Sequence, residues 1–369
     1  MKVQLVPFLD VFKDASGGNI KTPQSEFLEE GDIPVVDQGH RLVAGYVMNR
    51  SRICRASPPV IVFGDHTRAI KYVDFDFAMG ADGTKVLVPR SGNHPKYLYH
   101  ALKAIQIPSA GYSRHYKFLK EMSIPLPPLV EQKRIAGILD AADALRAKRR
   151  EALAQLDTLL QSTFLDMFGD PVTNPMGWEV VKFRNLGASR LGKMLDKGKQ
   201  EGNCQFPYLA NFNVQWAGFK LENLRKMDFD ADDRVEFELR DGDLLICEGG
   251  EVGRTAIWRS QRKNVYFQKA LHRVRLEPTK ALPEFGQYFM WFMAKNGGFR
   301  DVTNSATISH LTGAKLKTLP VPLPPLALQR RFAAIVESVE RQKTRMRAHL
   351  AELDALFASL QFRAFSGTL

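Results

Sequence analysis

The chain has 369 residues, enough for two domains that each bury a hydrophobic core, and its 44% hydrophobic content excludes a disordered protein. Its formal net charge of +12 favours polyanionic partners, although a basic balance alone does not establish nucleic-acid binding. The absence of a signal-peptide pattern and of any membrane-length apolar run, with three widely spaced cysteines expected to be buried (Cys54, Cys204 and Cys247), predicts a cytoplasmic protein.

The first predicted region covers residues 1–123 and has the pattern of a mixed α+β domain. Two apolar runs, Ile33–Val35 and Pro59–Phe63, have the character of strands, and each ends in a polar turn. Near the end of the region, the aromatic residues at Tyr97–Tyr99 predict a helix.

Residues 124–170 consist of a proline lead-in and a long predicted helix. The lead-in Ile124–Leu129 contains a diproline, and proline is tolerated only at or before the first turn of a helix. Apolar residues then recur at heptad-like spacing, which predicts a stripe that packs against a partner helix. The predicted packing residues are Ile135, Ile138, Leu145, Leu153 and Leu156.

The second predicted domain covers residues 171–320 and follows a linker, Gly169–Gly177, that is rich in helix-breaking residues. It resembles the first domain weakly, since Ile33–Val35 matches Phe206–Tyr208. At the same offset, Ala44–Tyr46 matches Ala217–Phe219. Its further predicted elements are a strand and an aromatic helix, at Asp243–Cys247 and Tyr288–Phe292.

Residues 321–369 repeat the lead-in and the helix. Ungapped alignment of Val321 onward with Ile124 onward gives 17 identities in 47 residues, where composition alone would give about three. A repeat of this length is typical of duplicated architecture, and two like elements supply a pseudo-twofold relation. The predicted packing residues of this helix are Phe332, Ile335, Val339, Leu350 and Leu353.

Two amphipathic helices of about 35 residues, each roughly 50 Å long, cannot leave their apolar stripes in water. We expect an α+β fold in which two mixed domains are joined by these helices, packed antiparallel as a coiled coil. The alternative is that each helix docks on its own domain, as amphipathic helices mostly do. Their equal length and shared stripe favour the antiparallel pair.

Motifs for catalysis are incomplete in this sequence. Gly187–Lys193 fits the start of a phosphate loop, but Met194 stands where a magnesium-binding Ser or Thr is required. Ser57–Pro59 fits part of an amino-methyltransferase tetrad, but Val60 follows where an aromatic ring must stack the flipped base. The eight histidines show no metal-ligand spacing. We therefore predict a non-catalytic chain with no metal or cofactor of its own.

The repeated Pro-Leu-Pro-Pro-Leu-x-x-Gln-(Lys/Arg)-Arg entry to a long helix resembles the conserved regions of type I restriction-modification specificity subunits. The Gly177–Glu179 opening of the second domain and the domain–helix–domain–helix order resemble that family as well. The resemblance covers essentially the whole chain, and the helices are its specific part because the domains vary widely within the family. Here the first domain starts almost at Met1, so pseudo-circular closure is expected to depend on the tail Phe362–Leu369.

The resemblance implies that each domain is a target-recognition domain that binds one half of a split, asymmetric site in double-stranded DNA. It implies that the two helices, residues 124–170 and 321–369, form the spacer that sets the gap between the half-sites. Two methyltransferase subunits would dock on the helical region, and restriction/translocase subunits would join through them. S-adenosylmethionine, ATP and magnesium are expected in those partner subunits, with no cofactor in this chain.

Base recognition uses Arg or Lys for guanine and Asn or Gln for adenine, on exposed loops. Each domain has three polar stretches of this kind, and those containing Arg68 and Arg254 are the strongest candidates. The stretches are Asp37–Arg41, Gly64–Arg68 and Ser113–Lys117, then Asn211–Gln215, Glu248–Arg254 and Thr307–His310. The candidate DNA-binding residues are Gln38, His40, Arg41, His66, Thr67, Arg68, Arg114, His115, Lys193, Asn211, Asn213, Gln215, Arg254, Ser309 and His310.

Each of these assignments has an alternative. Any of the loops could be a solvated turn, and His66, His115 and His310 could equally have structural roles. The basic stretch Lys193–Lys199 is expected to meet phosphate, which gives salt dependence but little sequence preference. For the whole chain, the alternatives are a non-specific basic coiled-coil scaffold and, less favoured, a stand-alone nuclease.

Overall fold

The structure, a computed structural model, describes residues 4–108, 111, 113–195, 202–299 and 310–369. The chain divides into two compact units: unit 1 is Met1–Glu151 with Arg347–Leu369, and unit 2 is Ala152–Met346. Each unit therefore contains part of both long helices. The domain boundaries drawn from the sequence stay a prediction.

Unit 1 combines a four-stranded antiparallel sheet with a three-stranded mixed sheet. Its strands are β1 (Gln4–Pro7), β2 (Phe12–Asp14), β3 (Ile33–Val36), β4 (Gly45–Val47), β5 (Val60–Gly64), β6 (Ile70–Val73), β7 (Ala78–Met79), β8 (Thr84–Pro89) and β9 (Ser123–Leu126). Its helices are α1 (Phe8–Val11), α2 (Pro95–Ala104), α3 (Tyr116–Lys120) and the first part of α4 (Leu129–Phe168). The antiparallel sheet has the order β2-β8-β5-β6, the mixed sheet has the order β4-β3-β7, and β1 pairs with β9.

Unit 2 has the same arrangement of sheets. Its strands are β10 (Val180–Lys182), β11 (Gly187–Leu191), β12 (Gln205–Leu209), β13 (Val214–Gln215), β14 (Gly218–Phe219), β15 (Lys226–Asp228), β16 (Leu244–Cys247), β17 (Thr255–Ile257), β18 (Tyr266–Phe267), β19 (Leu271–Leu276) and β20 (Pro320–Pro322). Its helices are α5 (Ala231–Glu236), α6 (Pro283–Lys295), α7 (Gly313–Thr318) and the first part of α8 (Leu326–Ser366). The sheet orders β11-β19-β16-β17 and β15-β12-β18 match those of unit 1, and the hairpin β13–β14 is additional.

The residue after the first strand of each unit makes the same contact. The backbone N–H of Phe8 donates to the carbonyl of Met122, and that of Phe183 donates to the carbonyl of Leu319, both at 2.9 Å. In each unit this contact lies beside the strand pair that contains the proline lead-in, β1–β9 and β10–β20. The mixed α/β fold with two related domains is therefore confirmed.

The expected match of Ala44–Tyr46 with Ala217–Phe219 is wrong. Pro34 in β3 lies opposite Tyr46 in β4, whereas Pro207 in β12 lies opposite Lys226 in β15. The structural counterpart of β4 is therefore β15. The hairpin β13–β14 is inserted in unit 2 and moves the pairing strand further along the chain, which breaks the constant offset.

Each unit has one core cluster between its antiparallel sheet and the helices, and further clusters formed by residues of its two sheets. In unit 1, Ile61 and Phe63 pack in one cluster with Tyr97 of α2, Leu139 of α4 and Phe357 of α8. In unit 2, an aromatic cluster has the same place, and the predicted core helix at Tyr288–Phe292 is confirmed as part of α6. Its principal members are Phe164, Phe168, Phe285, Phe289, Phe292 and Phe332. Of the cysteines, Cys54 and Cys247 are buried but Cys204 is exposed, which corrects the expectation for the last.

The two long helices contact each other through equivalent ion pairs in the two units. In unit 1, Arg146 Nε lies 2.6 Å from Asp354 Oδ1. In unit 2, Lys343 Nζ lies 2.7 Å from Asp157 Oδ1. The two cations are related by the same offset as Ile124 and Val321, and so are the two aspartates. Each cation also holds an acid three residues earlier on its own helix, Asp143 and Glu340 respectively.

The predicted packing stripe is only partly correct. Ile135, Phe332 and Val339 are buried, and Ile138, Leu153, Leu156, Leu350 and Leu353 are half-buried. Leu145 and Ile335 are 54% and 36% exposed, so their assignment as packing residues is wrong. A straight α-helix drifts relative to a seven-residue repeat, and the buried row includes Leu139 and Val336, which the predicted stripe omits. Over the described part of the chain, no helix combines the length and apolarity needed to cross a bilayer.

Candidate nucleic-acid interface

Three of the predicted polar stretches come together in unit 1, after the C-terminal ends of β3 and β5. The Thr67 hydroxyl donates to the carbonyl of Gln38, and the His66 N–H donates to Gln38 Oε1 at 3.2 Å. The backbone N–H groups of His115 and Tyr116 donate to the carbonyl and the carboxylate of Asp65, each at 2.8 Å. The loop after β3, the turn after β5 and the segment before α3 therefore form one polar surface.

Glycines allow this close approach. A Cβ added to Gly83, whose φ is +69°, would lie 2.6 Å from Gln38 Oε1. A Cβ on Gly64 would lie 2.5 Å from the Gln38 carbonyl oxygen. A Cβ cannot lie so close to a backbone oxygen, so glycine is required at position 64. At position 83 glycine is favoured by the positive φ, because the Gln38 side chain could move away from a Cβ.

Cationic side chains are exposed around this surface. Arg41, Arg68 and Arg114 are exposed, as is His40. The Arg68 guanidinium donates to the carbonyl of Ile107 at 3.2 Å, beside an open cavity of about 630 Å³. His115 is placed differently: it is 1% exposed and its Nδ1 lies 3.0 Å from the carbonyl of Asp65. The expectation of a DNA contact at His115 is therefore corrected, because a buried ring cannot reach DNA.

The corresponding loops also come together in unit 2. The Arg254 guanidinium donates to the carbonyl of Asn211 at 2.7 Å. The Trp216 indole N–H donates to Glu251 Oε1 at 2.6 Å, and the Leu311 N–H donates to the carbonyl of Glu248 at 2.7 Å. The loop after β12, the turn after β16 and the segment before α7 thus form a second polar surface.

Several predicted DNA contacts of unit 2 have internal roles in the structure. Asn213 is 2% exposed, accepts from the N–H of Ala210 and donates to the carbonyl of Lys220, both at 3.0 Å. The Lys193 ammonium donates to the carbonyl of Asp228 at 2.8 Å and forms an ion pair with Asp233. A DNA contact by Asn213, and a phosphate contact by Lys193, are corrected for these reasons.

The remaining predicted residues of unit 2 are placed as follows. Asn211 and Gln215 are half-buried at the polar surface, and His310 is exposed. Gln215 donates to the carbonyl of Phe212 at 2.9 Å. Thr307, Ile308 and Ser309, together with Lys197 and Lys199, lie outside the described residues.

Arg68 and Arg254 are not equivalent, although their sequence contexts are similar. The Arg68 N–H donates to the carbonyl of Gly64 at 2.8 Å, and the Gly253 N–H donates to the carbonyl of Cys247 at 3.1 Å. Both residues have a left-handed backbone, with φ of 61° and 80°. Gly253 is therefore the structural counterpart of Arg68. The structural counterpart of Arg254 is Ala69. The carbonyl of Ala69 accepts from the N–H of Gly64, and the carbonyl of Arg254 accepts in the same way from the N–H of Cys247.

Two titratable groups beside these surfaces have shifted pKa values, Cys247 in unit 2 and Lys71 in unit 1. Burial raises the pKa of the Cys247 thiol to about 11, although Arg254 opposes the shift, so this thiol stays protonated near neutral pH. Burial lowers the pKa of Lys71, while the nearby Asp37 raises it. Within the described ranges, no group of three His, Cys, Asp or Glu side chains is placed to hold a metal ion.

The two units thus share one topology, and each brings three polar loops together. The family model of the type I restriction modification DNA specificity domain matches residues 2–155 and 175–354. The chain belongs to that family.

Three relatives carry the name of a type I restriction enzyme specificity subunit. S.HindORF215P of Haemophilus influenzae is 25% identical over 257 residues, 66% of this chain and 64% of the relative. The EcoR124I/EcoR124II subunit of Escherichia coli is 22% identical over 363 residues, 92% of this chain and 87% of the relative. The EcoKI subunit of E. coli K12 is 26% identical over 272 residues, 67% of this chain and 58% of the relative. The chain thus spans less than two thirds of two of these relatives.

Solved structures share the fold. The type I restriction-modification S subunit from M. genitalium matches with a TM-score of 0.60 at 14% identity, over 99% of this chain and 96% of that one. A chain from a structure on complex assembly and conformational transition of the type I R-M system matches with a TM-score of 0.56 at 18% identity, over the full length of both.

Proposed function

We propose that this chain is the specificity subunit of a type I restriction-modification complex and binds a bipartite, asymmetric DNA site. The observation that carries the proposal is the duplicated surface: two units of the same topology bring the same three loops together. The loops carry different side chains, for example Gln38 and Arg68 in unit 1 against Asn211 and Gly253 in unit 2. Two surfaces of the same shape and different chemistry suit two different half-sites.

The side chains proposed to contact DNA are the polar groups that remain accessible. In unit 1 these are Arg41, Arg68 and Arg114 with His40, Gln38, His66 and Thr67 behind them. In unit 2 they are Asn211, Gln215 and His310. Arginine suits guanine and phosphate, and the amides suit adenine.

The helices α4 and α8 are proposed to form an antiparallel coiled-coil spacer that sets the gap between the half-sites. The paired contacts Arg146–Asp354 and Lys343–Asp157 support it, since residue numbers rise along one helix as they fall along the other. One added helical turn lengthens a helix by about 5.4 Å. At about 3.4 Å per base pair, such an insertion would widen the gap by one or two base pairs.

The chain is proposed to do no chemistry itself. Two methyltransferase subunits would dock on the helical region, and restriction/translocase subunits would join the complex through them, in the cytoplasm. S-adenosylmethionine, ATP and magnesium are assigned to those partner subunits. The assembled complex would methylate adenine at N6 and cleave DNA in an ATP-dependent reaction.

The test has two stages. First, the chain is expressed with its methyltransferase subunit, and methylated adenines in the host genome are mapped by single-molecule sequencing. We expect one split motif with two unlike halves. Second, the complex is titrated with duplexes that carry the motif or a scrambled sequence. Equal affinity for both duplexes would support the basic scaffold instead, and cleavage by this chain alone with magnesium would support a nuclease.

A further inference from the structure

We propose that Lys71 and Arg254 are positioning residues: each holds the backbone of a DNA-recognition loop in its own unit and does not touch DNA. Lys71 holds the loop after β3, and Arg254 holds the loop after β12. The proposal rests on the DNA-binding function proposed above, and it assigns the sequence discrimination to neighbouring side chains.

Lys71 lies in β6 opposite Val62 and is only 5% exposed. Its Nζ donates to the carbonyl of Asp37 at 2.9 Å and lies 3.3 Å from Asp37 Oδ1. Lysine is almost never buried unless it is paired, and here both partners belong to one loop residue. The ammonium therefore acts on the loop after β3, since its burial keeps it from any phosphate. Gln38, the next residue of that loop, is one of the proposed DNA contacts.

In unit 2, Arg254 holds the backbone of the loop after β12 from a different position in the fold. Its Nη2 donates to the carbonyl of Asn211 at 2.7 Å, and its Nη1 donates to Glu251 Oε2 at 3.2 Å. The side chain is 16% exposed. Glu251 also accepts from the indole N–H of Trp216, so the turn after β16 holds the loop after β12 through Asn211 and the β13–β14 hairpin through Trp216. These two bonds occupy donors of the guanidinium that a phosphate would otherwise take, and the Glu251 carboxylate offsets its charge.

These contacts decide which groups of the loop are presented. With the Asn211 carbonyl held inward, the exposed member of the loop is Phe212, which is 46% exposed. The Arg225 guanidinium lies 5.0 Å from the centre of the Phe212 ring. Removal of Arg254 would release the loop and disperse these groups, while the number of cations that face DNA would stay the same.

The experiment uses the complete complex and four duplexes: the mapped motif, the motif with one or the other half scrambled, and a fully scrambled sequence. Arg254→Met and Lys71→Met are compared with wild type and with Lys21→Met, which removes an exposed cation of unit 1. Each positioning variant should lose about tenfold in affinity for the motif, down to the level of the duplex that lacks one half. Arg254→Met should lose the contribution of one half-site, and Lys71→Met that of the other.

The salt dependence separates positioning from direct contact. Loss of one phosphate contact lowers the slope of log K against log salt by about 0.9 and weakens binding to all sequences. We expect an unchanged slope and unchanged affinity for scrambled DNA. A reduced slope for Arg254→Met, with weaker binding to scrambled DNA, would overturn the positioning role. If wild type fails to distinguish the motif from scrambled DNA, the proposed function itself is at fault.

Hydrogen exchange without DNA gives a readout that a DNA contact would not change. In Arg254→Met, the amides of residues 211–215 should exchange faster, while those of α6 stay protected. If this variant does not fold, Lys71→Met and the amides of residues 37–41 carry the same test in unit 1. Unchanged exchange in the loop would contradict the proposal.

Discussion

The side-chain oxygen of Gln132 accepts a hydrogen bond from the backbone N–H of His94 at 2.8 Å. His94 is the residue that precedes α2, so the start of α4 is fastened to the start of α2. Gln329 makes the equivalent contact with the N–H of Leu282, which precedes α6, at 2.9 Å. Each amide also donates to the lead-in, to Pro127 and Pro324 respectively. This is the physical reason for glutamine in both copies of the repeat.

Replacement of either glutamine by leucine should therefore be costly. Gln132 and Gln329 are 2% and 0% exposed, and leucine would leave buried backbone groups without partners. We expect a loss of about 1–3 kcal/mol in the free energy of unfolding of the affected unit. This loss is measured by urea unfolding, with hydrogen exchange of each unit as the readout. Gln106→Leu, at an exposed position, is the control. A loss for Gln106→Leu as large as that for Gln132→Leu would contradict the capping role.

Arg68→Gly should separate stability from DNA binding. Arg68 has a φ of 61°, a conformation that glycine adopts without strain and that Gly253 adopts in unit 2. The glycine removes a strain of about 1 kcal/mol but adds flexibility to the unfolded chain, so stability should change by less than about 1 kcal/mol. Affinity for the motif should fall, because the exposed guanidinium is lost. Thermal unfolding and DNA titration of the same preparation test both, and a variant with full affinity would exclude Arg68 as a contact.

Lys343 predicts an asymmetry between two substitutions in unit 2. Its side chain is 5% exposed and lies 2.7 Å from Asp157 and 2.5 Å from Glu340. Lys343→Met should change stability by less than about 1 kcal/mol, because the methionine fills the place of the lysine stem and the two carboxylates left behind, 55% and 39% exposed, stay in contact with water. The double change Asp157→Asn with Glu340→Gln should cost roughly 3 kcal/mol, because it leaves a buried ammonium without a carboxylate.

The four tryptophans, Trp178, Trp216, Trp258 and Trp291, all lie in unit 2, so tryptophan fluorescence during urea unfolding measures this difference. If Lys343→Met and the double variant lost the same stability, the site would require the charge of Lys343, and the packing of its aliphatic stem would not be enough.

Unit 1 should lose stability as the pH falls below about 6.5. His100 is 1% exposed, and burial lowers its pKa, although a hydrogen bond to Asp140 opposes the shift. Because its folded pKa lies below its unfolded pKa, the unfolded state binds more protons in this window. The expected slope is up to about 1.4 kcal/mol per pH unit, present until the folded pKa is passed. Hydrogen exchange of α2 between pH 7.5 and 5.5 measures it, and His100→Gln should flatten the profile. An unchanged profile would assign the pH dependence to other groups.

The tail of α8 should be essential to unit 1. Phe357 is 6% exposed in the core of that unit, and the Phe365 ring lies 5.6 Å from that of Tyr97. Phe357→Ala should cost about 3–5 kcal/mol in the stability of unit 1. Phe362→Ala, at a position that is 74% exposed, should change it by less than about 0.5 kcal/mol. The protection of α2 amides from hydrogen exchange measures the stability loss in both variants. Similar losses for the two variants would contradict the role of the α8 tail in the core of unit 1.

Local signals in the sequence account for what was predictable. The diprolines and the helical periodicity of the residues that follow them are local signals, so the sequence predicts both long helices. In the structure these helices have 40 and 41 residues. The order of strand and polar turn at Pro59–Phe63 was also local. It predicts the polar stretch Gly64–Arg68, one of the three that the structure brings together in unit 1.

Distant partners account for what was missed. The sequence gives no sign that Gln132 caps α2, because His94 lies 38 residues away. Arg254 has the sequence context of a DNA contact, because its acceptor Asn211 lies 43 residues away. The inserted hairpin β13–β14 hid the pairing of β12 with β15 in the same way. Leu145 was misplaced because a strict heptad departs from the true helical period over several turns.

The composition of unit 1 also has a consequence for synthesis on the ribosome. Unit 2 is one continuous stretch, whereas unit 1 needs Arg347–Leu369 in addition to Met1–Glu151. Domains commonly fold in the order of translation. Here the N-terminal part of unit 1 keeps an apolar face exposed until Arg347–Leu369 has been synthesised, after the whole of unit 2. In nascent chains, unit 2 should therefore become protease-resistant before unit 1.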